Sequence, residues 1–114
     1  MNNVSLIVYP AADLAKAQRF FRELLGTDPY YAGDYYVGYR IGELEIGLDP
    51  NGANYGSGAI PFWTVSDISA SIKALVDAGG TVVQDATDVG NGMLAARLKD
   101  PSGALVGLRQ APTA

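Results

Sequence analysis

Two segments, DLAKAQRFFRELLG at residues 13–26 and DISASIKALVDAGG at residues 67–80, share the pattern that decides the fold. In both, an aspartate precedes apolar residues spaced three and four apart, and a glycine stands 13 residues after the aspartate. Aspartate is a favoured helix N-cap, and glycine is favoured just after the last helical turn. The apolar spacing is that of an amphipathic helix. The sequence therefore predicts two similar helices, one in each half of the chain.

Each predicted helix is flanked by segments rich in β-branched and aromatic residues, which favour strands. An apolar run precedes each helix, at residues 4–9 and 60–65. After the first helix, residues 35–41 and 44–48 predict a hairpin that turns at Gly42-Glu43. The strands predicted after the second helix are residues 81–84, 93–99 and 104–109. Because the whole of residues 30–48 has strand character, we interpret both halves as the order βαβββ, and such a repeat indicates two copies of one structural unit.

The predicted organisation is a single α+β domain of 114 residues. Its first βαβββ module covers residues 1–50, a linker rich in glycine and asparagine covers residues 51–59, and the second module covers residues 60–114. Sheets of this kind bury one face against their helices. We therefore expect the two sheets to face each other across a cleft, with the helices outside.

Composition excludes several classes of function. The net charge is −4 and the eight Lys and Arg residues are scattered, so no basic surface is expected to bind nucleic acid. No apolar run is long enough to cross a membrane, and the N-terminus lacks the features of a secretory signal, so we expect a cytoplasmic protein without a membrane partner. The chain contains neither His nor Cys, which excludes Ser-His and Cys-His nucleophilic sites.

Several motifs in order resemble those of one superfamily. They are Asp13-Leu14, Phe20-Phe21 and Leu24-Leu25-Gly26 in the first half, and Val65-Ser66-Asp67-Ile68, Ala78-Gly79-Gly80 and Asp100-Pro101-Ser102-Gly103 in the second. This arrangement resembles the vicinal oxygen chelate superfamily, which includes glyoxalase I, bleomycin-resistance proteins and extradiol dioxygenases. The resemblance covers nearly the whole chain. It implies a glyoxalase/bleomycin-resistance-like cleft that takes a small-molecule ligand, and a homodimer.

The resemblance also locates the positions at which metalloenzymes of the superfamily hold a divalent cation. Those enzymes use His or Gln on the first strand of a module and Glu on its last. Aligned on the helix caps, the first-strand positions are Leu6 and Ile60, and the last-strand positions are Gly47 and Gly107. None of these side chains can ligate a metal ion. The resemblance therefore implies a member without metal ligands and without a cofactor, and metal-dependent glyoxalase or dioxygenase activity is not expected.

Alternation along the strands places the remaining candidate residues. If Gly47 faces the cleft, Glu45 does too, and Leu44, Ile46 and Leu48 pack on the helix. By the same reasoning Trp63 is expected in the core. The face of residues 35–41 that lines the cleft stays open, with Tyr36, Gly38 and Arg40 on one side and Tyr35, Val37 and Tyr39 on the other. The predicted ligand-binding residues are Leu6, Tyr36, Arg40, Glu45, Gly47, Phe62, Thr64, Arg97 and Gly107. The two glycines are expected to leave space for the ligand.

Three functions remain open from the sequence. The first is a metal-free protein that binds an aromatic or cationic small molecule. The second is a metal-independent isomerase or lyase-type enzyme in which Glu45, the one catalytic candidate, acts as a base. The third is a protein whose sheet faces serve only assembly with another chain. Each candidate residue also has a purely structural alternative. Glu45 would be a solvated carboxylate paired with Arg40 across the hairpin. The tyrosines would belong to the core or to a dimer surface.

Overall fold

The computed structural model of the chain describes residues 2–56 and 58–112, so Ser57 of the predicted linker lies outside the described residues. The chain divides into two compact units. One comprises Ser5–Ile60, and the other is built mainly from the chain after Ile60. Each unit follows the order strand, helix, strand, strand, strand, which confirms the predicted βαβββ repeat and the α+β class.

The first unit forms a mixed sheet with one helix. Its elements are β1 (Asn3–Pro10), α1 (Leu14–Leu25), β2 (Tyr31–Ala32), β3 (Val37–Ile41) and β4 (Leu44–Asp49). Strand β4 lies between β1, to which it is parallel, and β3, to which it is antiparallel, and β2 pairs with the other edge of β3. Strand β3 begins two residues later than predicted, because the N–H of Gly33 donates to the carbonyl of Tyr36 at 2.9 Å and closes a turn. A short 3-10 helix, Gly52–Asn54, follows β4.

The second unit repeats this arrangement. Its elements are β5 (Ile60–Thr64), α2 (Ile68–Asp77), β6 (Thr81–Asp88), β7 (Leu94–Lys99) and β8 (Leu105–Gln110). Strand β8 is parallel to β5 and antiparallel to β7, and β7 pairs with β6. Strand β6 continues to Asp88, beyond the predicted end at residue 84, and its pairing with β7 shifts register on both sides of Gln84. The polar sequence after Gln84 therefore forms a longer, irregular strand than its composition predicted.

Both predicted N-caps and the predicted end of α1 are confirmed, whereas α2 ends at Asp77 with Ala78 as its C-cap, before the predicted Gly80. The Asp13 carboxylate accepts from the N–H of Lys16 at 3.1 Å, and the Asp67 carboxylate accepts from the N–H of Ala70 at 3.0 Å. Gly26 ends α1 in the left-handed conformation, with φ of 71°. These local bonds satisfy backbone groups that a helix end would otherwise leave unpaired. No helix within residues 2–56 and 58–112 has the length and apolarity needed to span a membrane.

In the first unit, α1 packs against one face of the sheet. The aromatic side chain of Phe21 contacts Tyr9 and Tyr39, with ring centroids 4.8 Å and 6.5 Å apart. The buried residues of this core are Ala11, Phe21, Val37, Tyr39, Ile46 and Leu48, with Leu44 packed against them. The structure thus confirms that alternate residues of β4 face the helix. It also settles the open question for β3, whose helix-facing residues are Val37 and Tyr39.

In the second unit, α2 packs on β6, β7 and β8, and the core comprises Val65, Ile68, Ala96, Leu98 and Leu108. The prediction that Trp63 lies in this core is wrong. Trp63 pairs in register with Leu108, yet it is 36% exposed and does not belong to the cluster. The contacts of α2 are mainly with β6, β7 and β8, and Trp63 on β5 stays partly exposed.

Candidate functional site

The face of the first sheet that points away from α1 carries most of the predicted site residues of that unit. Cross-strand pairing places Gly38 opposite Gly47 and Arg40 opposite Glu45. On the other side of β4, Leu6 is the register partner of Glu45. Residues paired in this way point to the same side of a sheet. We call this surface the distal face of the first sheet. Leu6, Glu45 and Gly47 lie on it, together with Arg40, whose side of β3 the sequence left open.

Two tyrosine rings cover the glycines of the distal face. A Cβ atom built on Gly38 would lie 2.8 Å from the Tyr30 Cζ atom, and one built on Gly47 would lie 2.0 Å from the Tyr36 hydroxyl oxygen. Distances this short show that the rings occupy the volume a side chain would need. The expectation that Gly47 leaves space for a ligand is therefore wrong, because the protein's own Tyr36 fills that space.

Three polar side chains converge at one end of the distal face. The Tyr30 hydroxyl donates to Glu45 Oε1 at 2.7 Å, and Arg40 Nη2 lies 3.5 Å from the same oxygen. The Arg40 Cζ atom also stands 4.5 Å from the centroid of the Tyr30 ring, a cation–π geometry. We call these three residues the Tyr30 cluster. The pairing of Glu45 with Arg40, which the sequence offered as a structural alternative, is present, but the Glu45 carboxylate is not fully solvated, since 19% of its side chain is accessible.

The corresponding face of the second sheet is organised around a buried arginine. Arg97 is 8% exposed; its Nη1 donates to Gln84 Oε1, and its Cζ atom lies 5.1 Å from the Phe62 ring centroid. Phe62 is the register partner of Gly107, and a Cβ atom built on Gly107 would lie 2.4 Å from Phe62 Cδ1. The expected space at Gly107 is therefore filled as well. Phe62, Arg97 and Gly107 lie together on this face, and Thr64 follows Phe62 by two residues on the same strand.

Sequence reasoning missed two residues of these faces, Tyr30 and Gln84. Tyr30 lies directly before β2, which begins at Tyr31. Its N–H donates to the carbonyl of Gly38 at 2.9 Å, and this bond aligns the Tyr30 ring over that glycine. The available signal was the pairing of a bulky aromatic residue with a glycine on the neighbouring strand. Alternation could not predict on which side of the sheet the Gln84 amide lies, because the pairing of β6 with β7 is irregular on both sides of that residue.

The residues at the expected metal positions do not fit a divalent cation. Leu6, Ile60, Gly47 and Gly107 offer no lone pair, and aromatic rings take the volume beside both glycines. Among residues 2–56 and 58–112, no three His, Cys, Asp or Glu side chains come close enough together to hold a metal ion. We therefore derive no chemistry through a metal at these positions.

Tandem βαβββ units with this element order define a glyoxalase-like protein. The sequence matches the model of the Glyoxalase/Bleomycin resistance protein/Dioxygenase superfamily over residues 3–108. Because this match covers most of the chain, the protein belongs to that superfamily.

One curated relative, "Putative glyoxylase CFP32" of Mycobacterium bovis, is 30% identical over 109 residues. The matched region is 87% of this chain and 42% of the relative, so this chain spans less than half the length of the relative. The protein of the same name from Mycobacterium tuberculosis matches equally. The identity supports the family assignment, whereas the difference in length limits what the relative implies about activity.

Solved structures agree on the fold. The hypothetical protein BH1468 from Bacillus halodurans C-125 superposes with a TM-score of 0.79 at 17% identity, covering 99% of this chain and 96% of its own. A glyoxalase/bleomycin resistance protein/dioxygenase superfamily member from Vibrio splendidus 12B01 gives a TM-score of 0.70 at 19% identity, with coverage of 93% and 97%. At these identities the likeness shows the fold alone.

Proposed function

We propose that this protein binds a small organic molecule on the distal face of the first sheet, without the help of a metal ion. The observation that carries the proposal is the Tyr30 cluster, in which a tyrosine hydroxyl and a guanidinium converge on one half-buried carboxylate oxygen. Small-molecule sites combine an apolar lining with a few oriented polar groups. The distal face has both, since Tyr36 and Leu6 lie beside the cluster.

The cluster favours binding over proton abstraction. Glu45 Oε1 accepts from the Tyr30 hydroxyl and faces the Arg40 guanidinium. Both partners stabilise the ionised carboxylate, because a charge-assisted hydrogen bond is stronger than a neutral one. A carboxylate held in this way is suited to orient a ligand. We therefore propose a binding protein rather than an isomerase or lyase that uses Glu45 as its base.

The curated relative suggests a second function by its name, a glyoxylase. The metal-dependent form of such chemistry is not proposed for this chain, because Gly47 and Gly107 stand where the superfamily's enzymes carry carboxylate ligands. The donor set of the two faces thus supports binding better than it supports metal-assisted catalysis.

The experiment is to find a ligand and to locate it. The protein is purified from its own host under mild conditions, and native mass spectrometry measures any retained mass. The recovered compound, or a fragment collection if none is recovered, is then titrated into 15N-labelled protein. We expect the amide signals of Gly38, Arg40 and Gly47 to shift, while those of Gly26 and Gly42, which lie in turns, stay in place.

Matched variants and a chelator complete the test. Tyr30→Phe removes the hydroxyl that contacts Glu45, and Tyr35→Phe, at a side chain that is 82% exposed, is its control. We expect Tyr30→Phe to weaken binding, and Tyr35→Phe to leave it unchanged. Binding should persist after exhaustive treatment with EDTA. A ligand that shifts no distal-face amide, or that binds only when a divalent cation is restored, would overturn the proposal.

A further inference from the structure

The Tyr30 cluster already contains a bound cation, supplied by the chain itself. The Arg40 guanidinium lies over the Tyr30 ring, at 4.5 Å from its centroid, and faces Glu45 Oε1 at 3.5 Å. An aromatic face combined with a carboxylate is an arrangement that proteins use to bind guanidinium and quaternary ammonium groups. Arg40 therefore occupies a position that the chemistry of its neighbours would offer equally to a cationic ligand.

The hold on Arg40 is weak compared with the hold on the rest of the cluster. Its side chain is 59% exposed, and its contact with Glu45 is a single one at the long distance of 3.5 Å. The hydrogen bond from Tyr30 to Glu45 is 2.7 Å, and only 19% of the Glu45 side chain is accessible. Exposed ion pairs contribute little and cost side-chain entropy. The guanidinium can thus swing into solvent while the tyrosine and the carboxylate remain in place.

The surroundings of the cluster define the rest of the ligand. Leu6 is the register partner of Glu45, and the Tyr36 ring covers Gly47, two residues further along β4. A flat or aliphatic body attached to the cation would rest on these apolar groups. Such contacts are what an outside cation needs, because it competes with an arginine that is tethered at a high effective concentration.

We propose that Arg40 is a displaceable internal surrogate for the ligand's cation, and that the physiological ligand carries a guanidinium, amidinium or quaternary ammonium group on an apolar body. This inference rests on the proposed function. It adds that the ligand is a cation and that Arg40 competes with it for the cluster. In the bound state, the ligand's cation lies between the Tyr30 ring and Glu45, and Arg40 turns outward.

The test uses three probes of nearly equal shape and different charge: benzamidinium, benzamide and benzoate. Each is titrated into the wild-type protein and into Arg40→Met, which keeps the length of the side chain and removes the internal cation. The control variant is Arg22→Met, since Arg22 forms a comparably exposed pair with Asp28 at 2.9 Å, on the helix that packs on the other face. Circular dichroism verifies that each variant is folded.

We expect benzamidinium to bind best and Arg40→Met to tighten its binding by about twofold to fivefold, the size expected when a weak exposed ion pair no longer competes. Glu45→Gln should weaken it by at least about tenfold, because the cation loses its counter-charge. Arg22→Met should change nothing. Benzamide should respond little to either change at the cluster.

Other outcomes separate the inference from the proposed function. If benzoate binds best and Arg40→Met abolishes its binding, Arg40 is an anion anchor and the inference is overturned. If benzamide binds as well as benzamidinium, shifts the distal-face amides and ignores Glu45→Gln, the proposed function stands and the inference fails. If no probe shifts those amides and no ligand is retained from the host, both are rejected.

Discussion

The Tyr30 hydroxyl donates a 2.7 Å hydrogen bond to Glu45 Oε1 across 15 residues of sequence. The contact depends on Gly38, because the Tyr30 ring lies where a Cβ atom on that residue would stand, 2.8 Å from Cζ. A glycine at the second position of β3 thus allows an aromatic side chain from outside the strand to reach a carboxylate on β4. The strand loses side-chain packing at Gly38, and the distal face gains an oriented polar group.

Removing the Tyr30 hydroxyl tests this relationship. In Tyr30→Phe the ring can still lie on Gly38, but Glu45 loses the 2.7 Å hydrogen bond from the Tyr30 hydroxyl. Because Tyr30 is 50% exposed, we expect the free energy of unfolding to change by less than about 1 kcal/mol. Ligand affinity should fall by about threefold to tenfold, as for the loss of one hydrogen bond of ordinary strength. Isothermal titration and urea denaturation measure the two effects, and a large loss of stability with unchanged affinity would contradict the assignment.

The two glycines on the last strands of the modules predict different responses to alanine. At Gly47 the atom nearest to a new Cβ is the Tyr36 hydroxyl oxygen, the far end of a flexible side chain. At Gly107 the nearest atoms, Cδ1 and Cγ, belong to the base of the Phe62 ring, and Phe62 is 2% exposed. A new Cβ at Gly107 would contact the buried Phe62 ring next to the bond that attaches it to Cβ. Moving the ring aside would therefore cost more free energy than moving the end of a flexible side chain.

We therefore expect Gly107→Ala to destabilise the protein by about 2–3 kcal/mol, the upper range for overpacking, and Gly47→Ala by about 1 kcal/mol or less. Chemical denaturation of both variants, with Gly58→Ala as a control at a site where no atom lies within 4 Å of a new Cβ, compares the three values. Equal losses at Gly47 and Gly107 would show that Tyr36 is as firmly held as Phe62.

The parts of the fold that the sequence predicted best are those fixed by local interactions. Asp13 and Asp67 cap their helices through bonds within a few residues, and Gly26 adopts a conformation that its lack of a side chain permits. The side of the sheet that each β4 residue faces was also predictable, because every second side chain of the strand must be buried against α1. On this basis Glu45 was placed on the side of β4 away from α1, whereas the side of β3 on which Arg40 lies stayed open.

The parts that failed depend on where large side chains go in three dimensions. The sequence could identify Gly47 and Gly107 but not that Tyr36 and Phe62 fill the space beside them. Trp63 was misplaced for a related reason, since the strand alternation indicates a side of the sheet and not how far the helix extends across it. Side-chain packing of this kind is set by the whole fold rather than by neighbouring residues.

The homodimer that the superfamily resemblance implies stays a prediction. Two apolar side chains on the solvent-facing side of α1, Phe20 and Leu24, are 64% and 63% exposed. Light scattering at micromolar concentration measures the mass directly. A monomeric mass of 12.0 kDa at that concentration would refute the prediction. If a dimer is found, Phe20→Ser together with Leu24→Ser shows whether this helix contributes to it.

A final prediction concerns stability at alkaline pH. Burial raises the pKa of the Tyr39 hydroxyl, and the Asp28 carboxylate raises it further, while Arg22 opposes the shift. The side chain has no exposed surface in the folded protein, and its hydroxyl lies 3.4 Å from the carbonyl of Gln18. In the unfolded chain the same group titrates near its ordinary value of about 10.

The sign of the effect follows from proton binding. Between the unfolded pKa and the higher folded pKa, the native state holds a proton that the unfolded state has released, so the free energy of unfolding falls as pH rises. The contribution is complete below about pH 10 and is lost as pH passes through the folded pKa, with a slope of at most about 1.4 kcal/mol per pH unit for one group. Urea denaturation from pH 8 to pH 12 measures this slope. We expect Tyr39→Phe to flatten the curve and Tyr35→Phe, whose side chain is 82% exposed, to leave it unchanged. Parallel curves for the wild type and Tyr39→Phe would show that another group causes the alkaline loss of stability.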